Sequence, residues 1–173
     1  MGKKYEFEID LVRQSNLEKR IELIINKVQK IDEKTVEEKS ENDELILSDV
    51  KAFEIIKNTS PKDVYIITEE GDRYSKDSSI IEIWDPIDGS SEFNRIGKRK
   101  SPLTTAGIVI HENKIIAASI GDIWNRKIYG LDKKGLYFKV NKEKNYLTIN
   151  KEKRRLSLDK AFVAAYAPSS DRM

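Results

Sequence analysis

The chain has 173 residues, no cysteine, one histidine, and 32 basic against 30 acidic side chains, for a formal net charge of +2. That length suits about one domain with a real core, and the missing cysteines exclude disulfides and thiolate-held metals. The charge balance calls for neither nucleic acid nor an anionic membrane. No apolar run approaches the ~20 residues that cross a bilayer, and residues 1–6 lack a signal-peptide core, so a soluble cytoplasmic protein is expected.

The elements follow in chain order. Ser15 with Glu18 makes a capping box, and Leu17, Ile21, Ile24, Ile25, Val28 and Ile31 recur at three- and four-residue spacing. This predicts a helix from 15 to about 39, followed by the polar stretch EEKSENDE. Ser48 or Asp49 can cap a second amphipathic helix carrying Val50, Phe53 and Ile56, which stops before Pro61. Strands are then expected at VYIIT (64–68) and IIEIW (80–84). TTAGIVI and KIIAASI read as a hairpin flanking His111-Glu112-Asn113. KIYGL, LYFKV and YLTI continue between the turn signals DKKG and NKEKN, and AFVAAYA (161–167) reads as a last strand. Two helices followed by a strand meander predict an α+β fold, with the helices on one face of a mostly antiparallel sheet.

The stretch WDPIDGSSEF (84–93) carries the chemistry. Asp85-Pro86-Ile87-Asp88 has the composition of a type I turn, which brings its ends within ~7 Å, and Pro86 cannot donate to a ladder, so a strand end is expected there. At ~4 Å two carboxylates repel by about 4 kcal/mol at an effective dielectric of ~20, a cost that a divalent cation removes. Oxygen ligands without His or Cys suit Mg²⁺ or Mn²⁺. Gly89-Ser90-Ser91 lets backbone approach a ligand and can open a helix whose free N–H groups take a phosphate. The plainer alternative is that Asp85 caps the turn and that Asp88 or a serine caps a short helix. Glu69-Glu70 closes VYIIT as Asp85 closes IIEIW. If those strands are neighbours with their ends together, Glu69 becomes a third carboxylate.

With these motifs the chain resembles the Mg²⁺-dependent, Li⁺-sensitive inositol monophosphatase and fructose-1,6-bisphosphatase superfamily. WDPIDGSSEF is similar to its Asp-Pro-Ile/Leu-Asp-Gly-Thr/Ser signature, IITEEG to its Glu-Glu signature, and KSENDELILSD (39–49) to its Lys-Ser…Asp segment. The resemblance implies the first half of a layered αβαβα sugar-phosphatase fold. It implies that Glu69, Asp85 and the Ile87 carbonyl hold one Mg²⁺, that Asp85 and Asp88 share a second, and that Asp49 contacts an outer metal or its water. Glu69 with Ser90 would activate water. Gly89, Ser90 and Ser91, with Lys39, would bind the phosphate of a small phosphorylated substrate such as an inositol phosphate, a sugar phosphate or a 3′-phosphonucleotide.

Two departures stand out. Glu92-Phe93-Asn94 replaces the family's Asn-Phe order, and none of Asp122, Asp132, Asp159 and Asp171 sits in the family's late Trp-Asp metal motif. The expectation is therefore an N-terminal domain over 1–173 without the C-terminal domain, forming a homo-oligomer through the exposed strand AFVAAYA. The competing expectation is a catalytically incomplete module that binds Mg²⁺ and phosphate. His111, RIGKRKS and KEKRR read as surface, and Trp84 and Trp124 as packing.

Overall fold

The computed structural model describes residues 10–31, 35–40, 43–73, 75, 78–90, 103–132 and 134–147, with the side chains of 35–40 and 43–46 left aside. The expected strand at 161–167, RIGKRKS, KEKRR and Ser91 lie outside the described residues.

Helix α1 spans Leu11–Val28. The ribbon strands β1 (Thr35–Ser40) and β2 (Asp43–Ile46) follow, then helix α2 (Leu47–Thr59). A seven-stranded sheet comes next: β3 Tyr65–Thr68, β4 Ile80–Asp88, β5 Thr104–His111, β6 Lys114–Asp122, β7 Lys127–Asp132, β8 Gly135–Val140 and β9 Glu143–Tyr146, in sequential order. Among the described residues only the β3–β4 pair of this sheet is parallel; the other pairs are antiparallel. This is the expected α+β architecture. No helix among the described residues is long and apolar enough to cross a membrane.

Three boundaries differ from the sequence reading. The N-cap of α1 is Asp10, whose side chain accepts from the N–H groups of Val12 and Arg13 at 2.9 and 3.1 Å, so Ser15 and Glu18 lie inside the helix. The helix also stops at Val28, and residues 35–40 and 43–46 pair as the β1–β2 ribbon instead of prolonging it. Apolar helical spacing ends at Ile31, and Thr35-Val36 is β-branched, which favours extended backbone. Finally, NKEKN is not all turn. Val140 pairs with Glu143, so only Asn141-Lys142 forms the loop, with Asn141 at φ 56°, and β9 ends at Tyr146, the first residue of the expected YLTI strand, whose residues 148–149 lie outside the described residues.

Alternation explains how α1 sits. One cross-strand row reads Trp84, Gly107, Ser119, Gly130, Tyr137: three small residues between two large ones. Helix α1 lies in this trough. A Cβ on Gly107 would stand 2.8 Å from the Trp84 ring and 3.0 Å from Leu17 Cδ1, and one on Gly130 2.8 Å from Gln14 Nε2. Leu17, Ile21, Ile24 and Val28 are fully buried there. Gln14, itself 2% exposed, donates to Ser119 Oγ at 2.7 Å and to the Ala118 carbonyl at 3.1 Å, and accepts from the Ala118 N–H at 3.0 Å. At the far corner Tyr137 donates to buried Glu18, and burial together with that carboxylate pushes the phenol upward.

Helix α2 packs beside α1 on the same face, against β4. Arg73 closes its C-terminal end, donating to the carbonyls of Lys57 at 2.8 Å and Ser60 at 3.2 Å while its backbone pairs with Ile66. Unpaired carbonyls at a helix end are stabilised by such a cation.

Candidate active site

The parallel β3–β4 pair puts Ile67 beside Ile83 and Thr68 beside Trp84, so Glu69, the first residue after β3, and Asp85 of β4 follow at the same end of neighbouring strands. The strands are adjacent with their C-terminal ends together. Alternation assigns the faces: Glu82 and Trp84 are buried under the helices, whereas Ile83 between them is 37% exposed on the other side. Asp85 shares that outer face with Ile83, whereas Glu69 follows the end of β3 in a turn and is exposed.

Contrary to expectation, β4 does not end before Pro86. It continues to Asp88 through an irregular register, because Asp85 pairs with Ala106 while Asp88 pairs with Thr104. Two residues between the carboxylates on β4 face one on β5, which is a β-bulge. In a regular strand residues i and i+3 point to opposite faces. The extra residue cancels that parity and returns Asp88 to the face of Asp85. Pro86 sits where its missing N–H removes no regular ladder bond. Thr104 Oγ1 donates to Asp88 Oδ2 at 3.2 Å, which fixes the direction of this exposed carboxylate. Asp85 Oδ1 is a buried oxygen, and the Asp85 carbonyl accepts from Thr105 at 3.5 Å.

Gly89 follows with φ +91°, a conformation that favours glycine, and Ser90 begins a helical turn. The Ile87 side chain is 1% exposed and anchors the bulge in the core. Asp49, fully buried, occupies the first turn of α2. Lys39 lies in β1, and its side chain is not described. Among the described residues no group of three or more His, Asp or Glu side chains stands close enough to hold a metal. Asp85 and Asp88 thus share one face, with Glu69 in the turn at the same sheet end, without closing into such a cluster.

The sequence reading missed two sets of residues. Thr104, the partner of Asp88, carried no signal beyond a β-branched residue at a strand start. The other set lies beneath β4, where Arg20 from α1 grips Glu82 bidentately, one bond being 2.8 Å, and also donates to Ser60. Trp84 Nε1 donates to Glu82 at 3.2 Å, Ser60 Oγ at 2.9 Å, and the guanidinium lies 5.1 Å from the Trp84 ring. Burial raises the Glu82 pKa, but the Arg20 charge and these hydrogen bonds outweigh it and hold the group below its ordinary 4.5. A lone Glu within the apolar run IIEIW, on the face that alternation buries, was the available signal.

No family model and no curated protein matches the sequence. Solved structures do match, and they define a class of fold: the chain has the architecture of inositol monophosphatase structures. It is similar to the extragenic suppressor protein SuhB of Bartonella henselae at 20% identity and TM-score 0.57, covering 73% of this chain and 50% of that one. A gene product described as inositol monophosphatase–fructose 1,6-bisphosphatase matches at 21% and 0.56, covering 75% and 52%. An IMPase/NADP phosphatase complexed with Mg²⁺ and phosphate matches at 17% and 0.56, covering 69% and 46%. The chain therefore spans about half the length of these structures.

Proposed function

We propose that the chain is the metal- and phosphate-binding half of a Mg²⁺-dependent phosphatase that hydrolyses small phosphate monoesters. The observation that carries this is the bulge at Pro86-Ile87, which returns Asp88 to the face of Asp85 beside the end of β3. The family resemblance of DPIDGS, the shared fold, and the Mg²⁺ and phosphate in one similar structure support it.

The donor set fits Mg²⁺: carboxylates and a backbone carbonyl, no nitrogen or sulfur, and two carboxylates where this ion commonly takes one or two plus substrate phosphate. Asp85, Asp88 and the Ile87 carbonyl would hold it, with Glu69 joining from β3 and Asp49 from α2. Bound there, Mg²⁺ would make water a stronger acid and neutralise charge on the leaving oxygen. The chain's own groups do the rest. Glu69 accepts a proton from the attacking water, Ser90 orients that water, and the Gly89 and Ser90 N–H groups hold the phosphate.

Calorimetry with Mg²⁺ on wild type and on Asp85→Asn and Asp88→Asn tests the site. Binding in wild type that weakens at least ~10-fold in both variants is expected, since each loses a charged ligand. Equal affinity in all three would overturn the assignment. Phosphate release from a panel of monoesters, with Mg²⁺ and with Li⁺ added, tests the activity.

A second reading, a binding module without turnover, is favoured by the absence of a three-carboxylate group among the described residues. Mg²⁺ binding without phosphate release would select it.

A further inference from the structure

We propose that Thr104 is a positioning residue for the cation site, which holds Asp88 in one orientation and so favours Mg²⁺ over a larger divalent ion. This role rests on Asp85 and Asp88 binding Mg²⁺ as proposed above. Thr104 acts through Asp88 and does not touch the ion.

The two carboxylates need different support. Asp85 Oδ1 is buried, so packing sets its direction. Asp88 is exposed, and a solvated carboxylate turns among its staggered rotamers, a freedom that binding must remove. Among the described residues, Thr104 Oγ1 is the donor to the Asp88 carboxylate, 3.2 Å from Oδ2. With Oδ2 engaged, Oδ1 is the oxygen left for an ion.

Thr104 is itself firmly held. It opens β5, and its backbone pairs with Asp88 of β4 on one side and Asp122 of β6 on the other. Leu103 before it is buried, and the Leu103 carbonyl accepts from the Ile123 N–H at 3.1 Å. Thr105 after it is fully buried and reaches the Asp85 carbonyl on the inner side of the bulge. A β-branched side chain on such a backbone has few χ1 choices.

A hydroxyl has one proton to give, and Thr104 stands between two aspartates. Asp122 is already served: its Oδ1 accepts from the Asn125 N–H at 3.0 Å and its Oδ2 from Asn125 Nδ2 at 2.7 Å. The Thr104 proton therefore goes to Asp88.

Geometry then discriminates between ions. Mg²⁺ demands a near-ideal octahedron at ~2.0–2.1 Å, whereas Ca²⁺ takes ~6–8 oxygens at ~2.3–2.6 Å in a flexible shell. An Asp88 free to turn costs Mg²⁺ more than Ca²⁺.

Calorimetric titration with Mg²⁺ and with Ca²⁺ tests this on wild type, Thr104→Val, Thr104→Ser and Asp88→Asn. Valine keeps the shape and the β-branch, so melting and circular dichroism should not change. Thr104→Val should weaken Mg²⁺ about 10-fold or more, the usual effect of removing a group that orients a ligand. Its loss for Ca²⁺ should stay within ~3-fold, because that shell adapts. Thr104→Ser, which keeps the hydroxyl, should bind both ions nearly as wild type does. Wild-type affinities in Thr104→Val would overturn the proposal, as would equal losses for both ions, or a serine variant no better than the valine one. Those failures leave the ligands standing if Asp88→Asn still abolishes binding. A wild type that binds no Mg²⁺, or an Asp88→Asn variant that binds it equally well, would instead overturn the site and this role with it.

Discussion

Glu82 shows how one residue can be both costly and necessary. A carboxylate with no exposed surface is stable only because Arg20, Ser60 and Trp84 all direct donors at it. Glu82→Gln leaves Arg20 buried without its counter-charge, so a loss of about 3–5 kcal/mol in denaturant unfolding is expected. The sign of the pH dependence follows from the lowered pKa. The stabilisation is present above the ordinary value of 4.5 and is lost as pH falls below it toward the folded value. Wild-type stability should therefore drop through that acid range, and Glu82→Gln should lack this component of the drop. At Gly89, φ is +91°, and Gly89→Ala should lower stability by about 1–2 kcal/mol, the usual penalty for a left-handed side-chain-bearing residue. The residues DPIDGS and Glu69 were legible in the sequence because their chemistry is local. Thr104 and Arg20 were not, because each meets its partner only after segments 16 and 62 residues apart are brought together.

At the scale of elements, α1 depends less on its own helix propensity than on the trough that receives it. Gly121 is the sharpest case, since an added Cβ would overlap Ile21 and stand 3.0 Å from Thr105 Cγ2. Gly121→Ala should destabilise by about 1–3 kcal/mol through overpacking. The double variant Gly121→Ala/Ile21→Ala should lose less than the sum of its parts, because the second change vacates the space the first needs. Strict additivity in a double-mutant cycle would mean that the helix is not held by this contact. The helix itself was legible from its apolar spacing. Its ends were not: Asp10 precedes the first periodic residue, and Ser15-Glu18 mimics a cap inside the helix. The bulge at Pro86 was misread for a related reason. A proline does stop regular pairing, but a ladder that absorbs one extra residue can resume beyond it, and only the partner strand reveals this.

For the whole molecule, the order of elements and the parallel β3–β4 pair place the candidate carboxylates at one end of the sheet. The meander from β5 to β9 joins neighbours in sequence over short loops. The helix that covers them is different. Gln14 meets Ser119 across 105 residues, and α1 is made before every strand of that sheet. At ~5–20 residues per second, about 5–20 s of synthesis separate this helix from the strand that receives it. Throughout that interval Leu17, Ile21 and Ile24 have no trough to enter. Helix α1 thus leaves the ribosome well before the strands that seal it, and the newborn chain relies for those seconds on whatever shields that surface in the cell.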